Sequence, residues 1–214
     1  MFTGLIETIC KVTSVRPAAG GMLLTVDLGS LSADYKVGDS IAISGVCLTI
    51  ARLDGTLAAF EISPETLDKS TLGKLSPSSQ VNVELAMKPT DRLGGHFVQG
   101  HVDGAARIAA IERTGEFADI KFAADPELLS QMVVKGSVAV DGISLTIAAM
   151  DSTGFRVAII PQTLKKTTLG VAKIGDLVNI ETDIIVKTIK KQLESVLGGP
   201  KETLTTEKLR QLGF

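Results

Sequence analysis

Apolar residues recur along this chain in short runs with a period of two. Ile41 and Ile43 alternate with Ala42 and Ser44, the spacing of a half-buried strand. The phase then slips by one, and Val46, Leu48 and Ile50 carry the apolar face onward. The same slip recurs later, with Val138 and Val140 followed by Ile143, Leu145 and Ile147. The slips fall at Ser44-Gly45 and Asp141-Gly142, where a glycine predicts a tight turn or a bulge that re-aims the strand. Short strands closed by glycine turns predict a small closed β-barrel. Between strands, SPETLDKSTLG (63–73) begins with Ser-Pro and ends on Gly, the signature of a short helix set into the barrel connection.

The pattern is written twice. Shifting the chain by 97 lays Val37–Glu84 on Val134–Glu181 without a gap, with 21 of 48 positions identical. PETLDKSTLG falls on PQTLKKTTLG and VNVE on VNIE, while TGLIE (3–7) falls on QGHVD (99–103) at a shift of 96. A repeat this long is a duplicated globular module and not a solenoid unit. The division falls at residues 1–96, 97–184 and a tail at 185–214.

Strand alternation assigns the faces. Val46, Leu48 and Ile50 point to the core, and Gly45, Cys47 and Thr49 to the other side. The second copy puts Gly142, Ser144 and Thr146 on that other side. This face is small and hydrogen-bonding, with room for a flat polar molecule. Small residues there also serve close strand packing.

The tail differs in kind. Ile185, Ile189, Leu193 and Val196/Leu197 sit at helical spacing, and Gly198-Gly199-Pro200 stops the helix. Its single apolar stripe packs either on its own barrels or on copies of itself. TTEKLRQLGF (205–214) predicts a second short helix capped by Thr205 or Thr206.

Composition removes several classes. Net charge is −2, so no basic field for nucleic acid or an anionic membrane is expected. With seven Phe, one Tyr and no Trp, base-stacking by an oligonucleotide-binding barrel is disfavoured. No apolar run reaches the length of a membrane span, and MFTGLIE is not expected to act as a secretory signal. The two cysteines, Cys10 and Cys47, point to a reducing compartment, so a cytoplasmic location is expected. Both histidines, His96 and His101, lie in GGHFVQGHVD, a spacing that matches no metal motif, and no metal is expected. The groups left for chemistry are Cys47, Thr49, His101, Lys135, Ser144, Thr146 and Asp183. They allow proton transfer by His101 or Asp183 and a hydroxyl or thiol nucleophile or hydrogen-bonder, and they name no substrate.

At these residues the chain resembles the riboflavin synthase α-chain family over essentially its whole length. MFTGLIE, GVCLT (45–49), GGHFVQGHVDG (94–104), KGSVAVDGISLT (135–146) and IIPQTLKKTTLG (159–170) occur in the family's order. The resemblance implies an all-β fold: two homologous six-stranded Greek-key barrels in tandem, plus a C-terminal helix through which three chains associate. It implies dismutation of two molecules of 6,7-dimethyl-8-ribityllumazine, one giving four carbons to the other, without cofactor or metal. Association with lumazine synthase is a further partnership the family leaves open. Each barrel is expected to bind one lumazine, the N-terminal barrel of one chain facing the C-terminal barrel of its neighbour.

Carried over position by position, the resemblance assigns Gly4, Leu5 and Ile6 to the N-terminal pocket, with Cys47, Leu48, Thr49 and the run Glu61, Ile62, Ser63, Pro64, Glu65, Thr66. Thr3 belongs with the first of these segments, and Phe2 either shields the site from water or buries the N-terminus. The C-terminal pocket takes Gly100, His101 and Val102, then Ser144, Leu145 and Thr146, and the run Ala158, Ile159, Ile160, Pro161, Gln162, Thr163. Lys135 reaches in from a partner chain, and Asp183 polarises a bound water. Ser144, His101, Cys47, Asp183 and Thr146 are the catalytic candidates. Three departures are Gln162 for a usual His, Gln99 for a common Ser and Thr188 for a frequent Tyr; Gln162 cannot titrate near neutral pH. A lumazine-holding fluorescent accessory protein is the rival, disfavoured because both copies keep the small polar face. A reductase flavin domain lacks support, since Tyr35 is not in an Arg-x-Tyr-Ser strand.

Overall fold

The computed structural model describes residues 1–18 and 20–197. The helix stop at Gly198-Gly199-Pro200 and the second short helix lie outside the described residues.

Six strands, β1 (Thr8–Ala18), β2 (Gly21–Asp27), β3 (Ser40–Ile43), β4 (Val46–Asp54), β5 (Leu57–Ile62) and β6 (Gln80–Leu85), close a barrel in the order β1-β2-β5-β4-β3-β6. The next six are β7 (Gly104–Thr114), β8 (Phe117–Ala123), β9 (Ser137–Val140), β10 (Ile143–Asp151), β11 (Gly154–Ile159) and β12 (Leu177–Thr182). They close in the order β10-β11-β8-β7-β12-β9, the same cyclic arrangement. The expected pair of six-stranded barrels is what forms. The duplication reaches the irregularities: β1 shifts register between Val12 and Ser14 and β7 between Ile108 and Ala110, while β4 and β10 shift after Ile50 and Ile147. Bulges bend strands, which lets so few of them close a barrel.

Both phase slips are two-residue hairpin turns. Ser44 and Gly45 have φ of 44° and 81°, Asp141 and Gly142 45° and 79°, the left-handed pair that matches strand twist. Alternation then behaves as expected, burying Val46, Leu48 and Ile50 while Cys47 is half-buried and Thr49 exposed. The cores differ in how they fill: Ala58 and Phe60 in the first correspond to Phe155 and Val157 in the second, where Phe155 stacks on Phe122 at 5.1 Å. The Ser-Pro segment forms helix α1 (Pro64–Lys69), capped by Ser63, whose Oγ accepts from the Thr66 amide at 3.2 Å. A short helix α2 (Pro126–Leu129) precedes β9. Helix α3 (Pro161–Lys166) is the counterpart of α1, but Ile160 stands at its cap and supplies no side-chain bond.

The barrels dock through equivalent residues. A Cβ on Gly45 would lie 2.5 Å from the Gly142 amide nitrogen, so the two turns touch backbone to backbone. Asn82 Nδ2 donates to the Asp141 carbonyl (3.0 Å), and its Oδ1 accepts from the Thr168 amide (2.8 Å). Asn179 makes the mirror pair with the Ser44 carbonyl (2.8 Å) and the Thr71 amide (2.7 Å). Both asparagines are buried, so undocking would break four hydrogen bonds between the barrels. Phe2 and Val98, equivalent by the repeat, form one antiparallel bridge and share a small core with Ala42 and Ala139.

Helix α4 (Ile184–Leu197) follows β12 at once. Asp183 caps it, its Oδ1 accepting from the Ile185 amide at 2.9 Å. Lys187 ties it to Asp103 at 2.7 Å, and Asp103 also accepts from Thr182.

Candidate functional site

The residues after the two turns, Cys47 on β4 and Ser144 on β10, are presented identically. Each backbone amide would have a partner inside its own barrel if the sheet continued there. Instead the Cys47 amide donates to the Gly100 carbonyl (2.9 Å), and the Ser144 amide to the Gly4 carbonyl (2.8 Å). Each partner comes from the segment preceding the other barrel. Gly4 and Gly100 have φ of +76° and +82°, and a Cβ on either would collide with Ser144 or Cys47 at 2.6 and 2.5 Å. Glycine is required here both for conformation and for space.

Apolar plugs anchor the exchange. Ile6 is buried in the core of the second barrel, and Val102 packs against the core of the first. The loop assignment expected from sequence is therefore reversed: Gly4, Leu5 and Ile6 belong beside Ser144, and Gly100, His101 and Val102 beside Cys47. The reason is the docking symmetry. Two modules related by a local two-fold axis swap their leading segments, and proximity along the chain does not report that.

On the first barrel a cavity of about 220 Å³ is lined by Cys47, Glu65, Thr66, Lys69, Gly100 and His101, with Val46, Ser70 and Val102 completing it. His101 is exposed at its mouth. Beside Ser144 lies a residue that sequence pattern does not single out. His96 is buried, and its Nδ1 lies 2.7 Å from Ser144 Oγ; Nε2 has no partner among the described residues. Burial lowers the His96 pKa below 6.5, and the charge of Asp183 opposes that shift. His96 is neutral at pH 7 with an anion nearby. The repeat gave no sign of it, because position 96 shifted by 96 precedes the first residue; its place in an unmatched Gly-Gly-His was the available signal.

The other expected residues divide by burial. Leu48, Ile62 and Ile159 are core side chains and offer a ligand only backbone groups. Leu145 is half-buried on the second core. Phe2 is fully buried between the barrels, where it fastens the N-terminus. Thr49, Glu61, Pro64, Glu65, Thr146, Ala158 and Gln162 are exposed, while Thr3, Thr66, Pro161 and Thr163 are half-buried. Ser63 is exposed but committed to its cap, also meeting Thr66 Oγ1 at 3.0 Å. Leu5 and Ile160, at 53% and 54% exposure, are free apolar contacts beside Ser144's barrel. Lys135 is exposed at φ +68°, where the first copy has Gly38 at +94°.

Two closed barrels, each with a small polar strand face and an exchanged glycine loop, define a duplicated small-molecule-binding module. The lumazine binding domain model matches the chain twice, at residues 3–86 and 99–183. Riboflavin synthase of Actinobacillus pleuropneumoniae is 39% identical over 215 residues, covering 100% of both chains. That of Bacillus subtilis (strain 168) is 37% identical over the same span, and that of Schizosaccharomyces pombe 39% identical over 91% of this chain and 95% of its own. The chain belongs to the riboflavin synthase family of lumazine-binding proteins. In fold it is similar to LumP complexed with 6,7-dimethyl-8-(1'-D-ribityl) lumazine, with a TM-score of 0.78 over 85% of this chain and 99% of that one at 18% identity.

Proposed function

We propose that this chain is an enzyme that converts two molecules of 6,7-dimethyl-8-ribityllumazine into riboflavin and 5-amino-6-ribitylamino-pyrimidinedione. Four carbons pass from one ring to the other, and the atoms of the two products sum to those of two substrates. The observation that carries this reading is the equivalent presentation of Cys47 and Ser144, each facing an exchanged glycine loop. Two like pockets suit a reaction that consumes two like molecules. Full-length identity to riboflavin synthases supports the same conclusion.

In the second barrel, Ser144 and His96 handle the proton at the ring. The 7-methyl group of the lumazine is acidic because its anion delocalises into the heterocycle, so a modest base suffices. Burial keeps His96 neutral and able to accept a proton, and Asp183 stabilises the imidazolium that follows. In the first barrel Cys47 and His101 face the corresponding ring. Thiol and hydroxyl differ in acidity and hydrogen-bond strength, which makes one pocket donor and the other acceptor. Exposed Leu5 and Ile160 supply apolar contact to the flat ring at the second pocket.

Bringing both rings face to face converts an encounter into a positioned step, worth up to roughly 7–11 kcal/mol of barrier in favourable cases. Assembly accomplishes this: three chains associate through α4, the first barrel of one chain facing the second barrel of the next, with Lys135 reaching across. Ile185, Ile189 and Leu193 leave an apolar stripe about half exposed on α4, and Val133 and Val134 stand exposed on the second barrel. Both cysteines are free thiols, as suits a cytoplasmic enzyme.

The test is to mix purified protein with dimethyl-ribityllumazine alone. Riboflavin must form with two lumazines consumed for each flavin. Ligand fluorescence without turnover would instead identify a chromophore-holding protein.

A further inference from the structure

The exchanged loops are held from both sides: their apolar plugs sit in the barrel whose pocket they line, and their backbone amides are gathered by a glutamate of the other barrel. Glu181, on β12 of the second barrel, is 3% exposed and accepts from three consecutive backbone amides: Gln99 (2.6 Å), Gly100 (2.9 Å) and His101 (3.0 Å). Glu84, on β6 of the first barrel, is also 3% exposed. It accepts from the Thr3 amide (2.6 Å), Thr3 Oγ1 (2.7 Å) and the Gly4 amide (3.0 Å). Successive amides converging on a carboxylate dictate the backbone between them. Here they set the left-handed glycine whose carbonyl meets Cys47 or Ser144. Burial raises the pKa of both glutamates, and the donors that converge on them offset this only in part.

We propose that Glu84 and Glu181 are positioning residues that act crosswise. Glu181 of the second barrel shapes the Cys47 pocket of the first, and Glu84 of the first barrel shapes the Ser144 pocket of the second. The proposal rests on the pockets assigned above. A glutamate with a merely structural role would serve its own barrel. These two carry a loop out of their own barrel and place its backbone beside the other's chemistry. Glutamine at either position keeps the volume but replaces one acceptor oxygen with a donor, so the converging amides cannot all be paired.

The two thiols make the test site-specific. Cys10 is buried and Cys47 half-buried, so alkylation by iodoacetamide reports the first pocket, and added riboflavin protects it if it binds there. A Cys47→Ser/Ser144→Cys background moves the reporter to the second pocket. The full chain is used throughout. Glu181→Gln is expected to raise the riboflavin concentration protecting Cys47 at least tenfold, while protection in the moved-reporter background stays within twofold. Glu84→Gln should give the reverse. Glu181→Asp and Glu84→Asp, which keep the charge, should restore part of each loss and serve as the measured pair if either glutamine variant fails to fold. Effects confined to each glutamate's own barrel, or no shift at either thiol, would overturn the proposal. Failure of riboflavin to protect the thiol in either unmutated glutamate background would instead overturn the pocket assignment itself.

Discussion

The amide of Cys47 donates to the carbonyl of Gly100 at 2.9 Å, although the two residues belong to different copies of the module. The same bond joins Ser144 to Gly4 at 2.8 Å. Each pocket is therefore a composite of both barrels, and its geometry depends on how they dock.

Gly100→Ala tests that dependence. An added Cβ would stand 2.5 Å from Cys47 Cβ on a backbone at φ +82°. The loop must withdraw, at about 1–3 kcal/mol of stability for the strained conformation. Lumazine titration should lose one class of site per chain, and turnover should fall at least tenfold. Gly4→Ala should remove the other class.

His96 makes stability depend on acid. Its pKa is lowered by burial, so below 6.5 the unfolded chain binds the proton more readily than the folded one. Stability is present in full above pH 6.5 and falls as the solution is acidified through it. His96→Asn, whose amide can replace Nδ1 against Ser144, should reduce the fall in melting temperature between pH 7.5 and 5.5, and lower turnover through loss of the imidazole.

Asp141 works in the opposite direction. Burial raises its pKa from 3.8 to about 7, even though the Asn179 amide donates to it at 2.7 Å. The folded state holds this proton more tightly, so stability is lost as pH rises from about 4 to about 7, by at most ~4 kcal/mol. Ser44 shows that serine fits the equivalent turn position, at φ 44° against 45°. Asp141→Ser should remove the decline in melting temperature across that window.

Lys135 holds a left-handed backbone, which disfavours a side chain by roughly 1–2 kcal/mol. Gly38 occupies the equivalent place in the first copy. Lys135→Gly should raise the urea midpoint while reducing turnover and weakening lumazine binding. A variant less stable than the parent would argue against strain at this position.

Ser63 and Ile160 are equivalent cap positions with different duties. Ser63→Ala should destabilise the chain by about 1 kcal/mol, since it removes the bond to the Thr66 amide. Ile160→Ser can gain that cap on α3 but gives up an exposed apolar contact, so stability should rise and ligand affinity fall. Thermal melts and lumazine titration on the same preparations check both.

Local pattern along the chain encodes strands, turns and core faces. Ile41 to Ile50 alternate with a slip at Ser44-Gly45, and strand, turn and core face follow from side-chain direction and left-handed φ. The 21 identities across the repeat carried that result to the second barrel, and the Ser-Pro start specified α1. Which loop meets which strand is settled by the docking of the two barrels. Gly4 and Gly100 read alike in their copies, and nothing within five residues says that each crosses to the opposite barrel. That choice belongs to the docking of Gly45 on Gly142 and to the buried asparagines that each side satisfies for the other. His96 likewise gains its role by folding against Ser144, 48 residues away. Periodicity records which side of a strand is wet, whereas a pocket made from two modules is recorded only in the contact that joins them.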